Sequence, residues 1–198
     1  MEAVITLGSF GDNSNDPLFR EALNDSSYQV VSAALDAYLI GKPDDANDIA
    51  NRFENAPNSE IVTAVANYYA GLGKPDQYEW FMQKMSKMKS AEMYNFLQVF
   101  GKYLIRSNSE VQRKALPLLE TTARNYPAYF VRFGAYQVLG LLTDIEGVKA
   151  MRKDIRNTER DPKLKDMYGQ FGEFWGKFQV FKPIKIPTLA SHKWGFFH

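Results

Sequence analysis

The chain contains no cysteine and only two histidines, His192 and His198, both in the last seven residues. The first absence excludes disulfides, thiolate nucleophiles and cysteine-ligated metal sites, and it leaves the redox compartment open. The second excludes a His-Glu-x-x-His zinc helix anywhere before residue 192. Any histidine-based triad would have to sit in the terminal tail. Glycine-rich phosphate loops, a Gly-x-Ser-x-Gly nucleophile elbow and a dinucleotide fingerprint are missing too. No apolar run approaches the length of about 18 residues that a membrane-spanning helix needs. The opening "MEAVITLGSFGDNS" has no basic region and no long apolar segment, so no secretory signal is expected in it. No cell compartment follows from these features.

What remains is a chain of 198 residues, 45% hydrophobic and 24% charged, a balance that favours a folded core over disorder. That length suits one domain or a short array of repeats. Net charge is only +1, but the charges are segregated. Residues 1–80 hold four Lys/Arg against thirteen Asp/Glu, a net of −9. Residues 81–198 hold twenty against ten, a net of +10. Solvated helix faces account for most such charge, but segregation on this scale also suits an elongated molecule docking on a partner.

The tetrapeptide Gly-Lys-Pro-Asp occurs twice, at Gly41 and Gly73, 32 residues apart. At that offset "SSYQVVSAALDAYLIGKPDD" lies over "NSEIVTAVANYYAGLGKPDQ", pairing Ser27 with Ser59, Val30 with Val62 and Ala34 with Ala66. "SAEMYNFLQVFGKYLIRS" is a third, degraded copy, and "PAYFVRFGAYQVLGLL" and "PKLKDMYGQFGEFWGKF" are later ones with drifting spacing. A period of 30–45 residues with two helices per unit indicates an α-solenoid. Each tetrapeptide then reads as a hinge between helices. Glycine takes the left-handed conformation that ends one helix, and proline suits the first turn of the next. The aspartates behind it, Asp44 and Asp45 included, complement the positive helix end as caps.

The fold expected is all-α, about five helical hairpins, with residues 1–178 as the solenoid and 179–198 as an extended tail. The first helix of each pair is polar with a narrow apolar stripe, as in "DANDIANRFEN"; its partner is apolar nearly all round, as in "VVSAALDAYLI". That contrast is expected when one helix of each hairpin lies between neighbouring repeats. Small residues such as Ala34, Ala66, Gly134 and Ala135 permit close approach. Asp16 before Pro17, and Ser109 before Glu110, read as helix starts. The only candidate strand is "FQVFKPIKIPTL" in the tail.

Two aromatic clusters remain. Tyr126, Tyr129, Phe130, Phe133 and Tyr136 share a stretch with Arg132, while Phe171, Phe174, Trp175 and Phe178 follow helical spacing. Core packing explains both, the second set capping the array with Phe174 and Trp175 buried. Tyrosine and arginine also dominate binding hot spots, so Tyr126, Tyr129, Arg132 and Tyr136 form a candidate peptide or partner surface. Nucleic acid is not expected as a partner, since half the chain is strongly acidic, and neither is a membrane.

The first unit, "PLFREALNDSSYQVVSAALDAYL", resembles a HEAT repeat through Pro17, Leu23, Asp25, Val30, Ala34 and Leu35, and Pro117 fits the proline common in first helices of such repeats. Armadillo-like pairing belongs to the same expectation. The run "LFREALNDSSYQVVSAALDAYLIGKPDDANDIANRFE" is similar to the C-terminal helical region of M1-family zinc aminopeptidases. That resemblance implies a solenoid arching over a preceding catalytic domain of the same polypeptide. The zinc ligands, the His-Glu-x-x-His motif and a Gly-x-Met-Glu-Asn substrate motif would all belong to that domain. No catalytic residue and no cofactor is then expected in this chain, and its partners would be the upstream domain and the peptide substrate. The opening "MEAVITLGSF" reads as the interior of a helix, as in a chain cut at a domain boundary. The alternative is a free-standing HEAT-type scaffold that binds a protein or peptide.

Overall fold

A computed structural model describes residues 15–41 and 43–175, with the side chains of 172–175 excepted. Ten α-helices run through the described residues. They are α1 (Asp16–Ala22), α2 (Tyr28–Ile40), α3 (Ala46–Phe53), α4 (Ser59–Leu72), α5 (Tyr78–Met85), α6 (Ser90–Arg106), α7 (Ser109–Asn125), α8 (Tyr129–Leu141), α9 (Val148–Thr158) and α10 (Pro162–Trp175). A short 3-10 turn, Pro75–Gln77, precedes α5.

Successive helices pair into five hairpins, and the hairpins stack in a row. Each second helix packs on the next: α2 on α4, α4 on α6, α6 on α8, α8 on α10. The odd-numbered helices lie against this inner row. The protein is therefore an all-α array of stacked hairpins, as the 32-residue echo requires.

Burial follows the two helix classes. Helix α4 buries eight side chains, from Ile61 and Val62 to Tyr69 and Ala70, because neighbours cover it on several sides. Helix α3, covered on one side, buries only Ala46 and Ala50. Each fully buried large apolar side chain stabilises the fold by about 1.5–3 kcal/mol relative to exposure. The small residues sit where helices approach closely: Ala34, Ala66, Gly134 and Ala135 are buried. A Cβ on Gly134 would meet the Tyr94 ring of α6 at 2.9 Å. The third hairpin fills its core with rings instead. Phe81 stacks on Tyr103 at 4.5 Å, and Trp80 stands edge-on to Phe81 and Tyr69 at 5.2 and 5.0 Å.

Several local expectations need correction. Gly73 is left-handed, at φ 65°, and its N–H donates to Tyr69 O, as a helix-ending glycine should. Gly41 is not: at φ −65° and ψ −16° it stays right-handed. Asp45 precedes α3, but its carboxylate does not cap that helix. It accepts from the Tyr38 hydroxyl at 2.6 Å and from Arg20 at 2.7 Å, two stronger partners than an exposed backbone N–H. Helix α7 starts at Ser109 as expected, with Asn108 as its cap, whose Oδ1 accepts from Val111 N at 3.0 Å. Helix α1 does start at Asp16, but no side chain caps it. Pro117 lies inside α7 without interrupting it. Residues 1–14, the candidate strand, the 179–198 tail and the packing of Phe174, Trp175 and Phe178 lie outside what is described.

Candidate functional site

The four residues of the candidate surface do not share one face. Tyr126 follows the last turn of α7, its N–H donating to Thr122 O, and its ring packs half-buried against the core. Tyr129 opens α8 and is 47% exposed, edge-on to Phe130, which in turn meets Tyr94 edge-on at 6.1 Å. Arg132 points to the connection between α9 and α10, with Nη2 3.6 Å from Glu159 Oε1.

Tyr136 must be withdrawn from any surface, because it is a core residue at 3% exposure. Its ring stacks on Tyr168 of α10 with centroids 4.0 Å apart. The Arg152 guanidinium lies over the Tyr136 ring, 4.3 Å from the centroid. Residues 129, 132 and 136 do fall on one helical stripe. Helix α10 covers that stripe from Phe133 onward through Tyr168 and Phe171, leaving only the first turn of α8 open. Spacing gives the stripe; it does not give the neighbour that covers it.

Arg132 belongs to a different constellation. It lines a groove of about 420 Å³ where the ends of α7 and α9 meet the start of α8. Arg124, from the last turn of α7, borders the same groove with Thr158 and Arg160. Arg124 is fully engaged: its nitrogens bond Glu120 at 2.9 Å, Asp154 at 2.7 Å and Thr158 Oγ1 at 3.1 Å. The Asp154 and Glu120 contacts hold its guanidinium above the usual arginine range. Glu159 turns inward, and its Oε1 accepts from the N–H groups of Arg160 and Asp161, both at 2.9 Å. Its contact with Arg132 is too long for a hydrogen bond, and the Arg132 Nε is buried with no partner. Arg160 is exposed and makes no ion pair among the described residues.

Arg124, Glu159 and Arg160 escape a reading based on aromatic clusters. One signal points to the helix ends that carry them, though not to Glu159 or Arg160 themselves: at the 32-residue offset "RN" at Arg124 and Asn125 repeats as "RN" at Arg156 and Asn157.

A second, smaller cleft of about 120 Å³ is apolar, lined by Met82, Met85, Met93, Leu97 and Leu118 beside Ser86 and Thr122. On the inner row, Asp36 is raised to about 6 by burial, partly offset by a hydrogen bond from Asn67 and by the Lys102 charge. Burial also lowers Arg152, whose Nε and one Nη have no partner.

Among the described residues no group of three or more His, Cys, Asp or Glu side chains is placed to hold a metal ion. None of the described helices is long and apolar enough to cross a membrane. No family model matches the chain, and no curated protein matches it either.

Proposed function

We propose that the chain is a non-catalytic helical-repeat domain that docks on another protein domain. In the arrangement its sequence resemblance implies, it packs on the zinc-bearing catalytic domain of an M1-family aminopeptidase and restricts access to the peptide-trimming chamber. The observation that carries the docking reading is the distribution of exposed apolar side chains. Of the five large apolar side chains exposed among the described residues, Leu18, Tyr28 and Ile40, at 44%, 53% and 67%, belong to the first hairpin, while Ile105 and Tyr129 lie on α6 and α8. Tyr28 and Ile40 lie at opposite ends of α2, about 18 Å apart by helical rise, a span suited to a broad interface and not to a pocket. Single exposed apolar residues are common on folded proteins, so the support is their concentration on one terminal hairpin, which a docked domain would cover. The acidic balance of that hairpin gives the interface a sign.

Zinc would belong to the catalytic domain. The residues of this chain do not fit it, having no cysteine and no histidine before residue 192, so no catalytic step is assigned here. Purified chain, assayed with and without added zinc, is expected to hydrolyse no aminoacyl anilide and to retain no stoichiometric zinc. Hydrolysis that survives repurification would overturn the non-catalytic reading. A free-standing scaffold is the second reading, favoured by the arginine-lined groove.

A further inference from the structure

The groove between the ends of α7 and α9 has more guanidinium N–H donors than its own carboxylates engage. Arg124 is matched by Glu120 and Asp154, which leaves Arg132 and Arg160 facing the single carboxylate of Glu159. Glu159 cannot neutralise both. Its Oε1 already accepts two backbone N–H groups, and Arg132 stands at 3.6 Å, beyond hydrogen-bond reach. Nε of Arg132 is itself buried and has no acceptor, so this guanidinium is not fully satisfied within the chain.

Helix dipoles offer a competing explanation, because α7 and α9 both end at the groove and arginine offsets a negative helix end. Those ends have donors of their own, however. Tyr168 donates to Ala123 O at 3.3 Å, and Lys165 donates to Asn157 O at 3.1 Å. Arg132 and Arg160 are not needed there.

We propose that this groove binds a side-chain carboxylate of an acidic peptide segment, held between Arg132 and Arg160. With Glu120, Asp154 and Glu159 set against Arg124, Arg132 and Arg160 the cluster is neutral overall, so a monoanionic carboxylate is accommodated with less repulsion than a phosphate dianion. Guanidinium forks match carboxylate geometry with two parallel bonds. The remaining walls suit a peptide chain: Ile155 supplies an apolar floor, and the Asn125 carboxamide can meet a backbone amide. This assignment is independent of the aminopeptidase resemblance, since it rests on the geometry of residues in the last two hairpins.

The test is fluorescence anisotropy of the full chain with a labelled, N-acetylated and C-amidated peptide of glutamates flanking one isoleucine. A matched peptide with glutamine at every glutamate position is the control. The glutamate peptide is expected to bind at least about tenfold more tightly, as loss of a charge-assisted pair implies. Arg160→Gln is expected to weaken it by about tenfold and Arg160→Lys by less, while Arg113→Gln, at an exposed arginine of α7 outside the groove, should have no effect. Arg132→Gln should act like Arg160→Gln; if that variant does not fold, the exposed Arg160 decides. Equal binding of both peptides, or wild-type binding by Arg160→Gln, would overturn the proposal. So would inorganic phosphate displacing the peptide at a far lower concentration than acetate at matched ionic strength, which would make the groove a phosphate site.

Discussion

The two Gly-Lys-Pro-Asp sites carry the same four residues and end the same class of helix, yet the chain leaves them by different routes. At the second, Gly73 turns left-handed and lies against the end of α6. A Cβ there would sit 2.6 Å from Arg106 O and 2.8 Å from its carbonyl carbon. The Tyr103 hydroxyl fastens the site by donating to Lys74 O at 2.9 Å. At the first, Gly41 keeps a right-handed conformation, and the connection is held from the other direction. There Asp45 accepts from Tyr38 of the preceding helix and from Arg20 of α1. At the 32-residue offset Tyr38 becomes Ala70 and Asp45 becomes Gln77, whose Oε1 is buried with no partner. One tetrapeptide serves two hinges because tertiary contacts, not the four residues, decide the conformation of the glycine.

The largest effect that could break this contrast is at Gly73. Gly73→Val combines left-handed strain with a collision against backbone that cannot rotate away, and a loss of about 3 kcal/mol is expected. Urea unfolding measures it. A loss below 1 kcal/mol, roughly the cost of an ordinary helix substitution, would show that the left-handed turn is not required.

Asp36 sharpens the comparison from the side of charge, because the offset of 32 places Tyr68 at the equivalent position of the next repeat. Burial raises the Asp36 carboxyl to about 6 from an ordinary value near 3.8. The folded protein therefore binds more protons than the unfolded chain between those values. Stability from this group is fully present below pH 4 and lost as pH rises through 6. Asp36→Asn should stabilise the protein by about 1–2 kcal/mol at pH 7 and hardly at all at pH 4. Denaturation at both pH values decides it, and equal effects at the two would contradict the burial of this carboxyl.

The two tyrosine anchors should each contribute about 1 kcal/mol, so Tyr38→Phe and Tyr103→Phe are a matched pair. They should differ in their response to acid. Hydrogen bonds from Tyr38 and Arg20 outweigh desolvation and hold the Asp45 carboxyl below the usual carboxylate range. That contribution exists above the unfolded value near 3.8 and disappears as pH falls through the lower folded value. Tyr38→Phe should therefore flatten the acid limb of the stability curve, while Tyr103→Phe, which loses a bond to a carbonyl, should leave its shape alone. The smallest effect is at Gly41. Alanine suits its right-handed backbone, so Gly41→Ala should be neutral or stabilise by about 0.5 kcal/mol through the unfolded state. A large loss there would mean that the two hinges are alike after all.

The array itself is legible in the sequence. The echo at 32 residues and the contrast between "DANDIANRFEN" and "VVSAALDAYLI" both follow from helices that are covered on one side or on several. The handedness of Gly41 is not legible, because it depends on Asp45 finding Tyr38 and Arg20 across two helices. Tyr136 misleads for a related reason, since the stripe it shares with Tyr129 is covered only where α10 crosses it. The arginine groove draws on three helices and a connection, so no single stretch announces it.

The claim that this chain is the non-catalytic part of a metallo-aminopeptidase is tested most directly by reading the coding sequence immediately upstream of Met1. An open frame that continues into a domain with His-Glu-x-x-His on a helix, a further glutamate ligand and a Gly-x-Met-Glu-Asn strand is expected. An in-frame stop followed by an unrelated gene would contradict it.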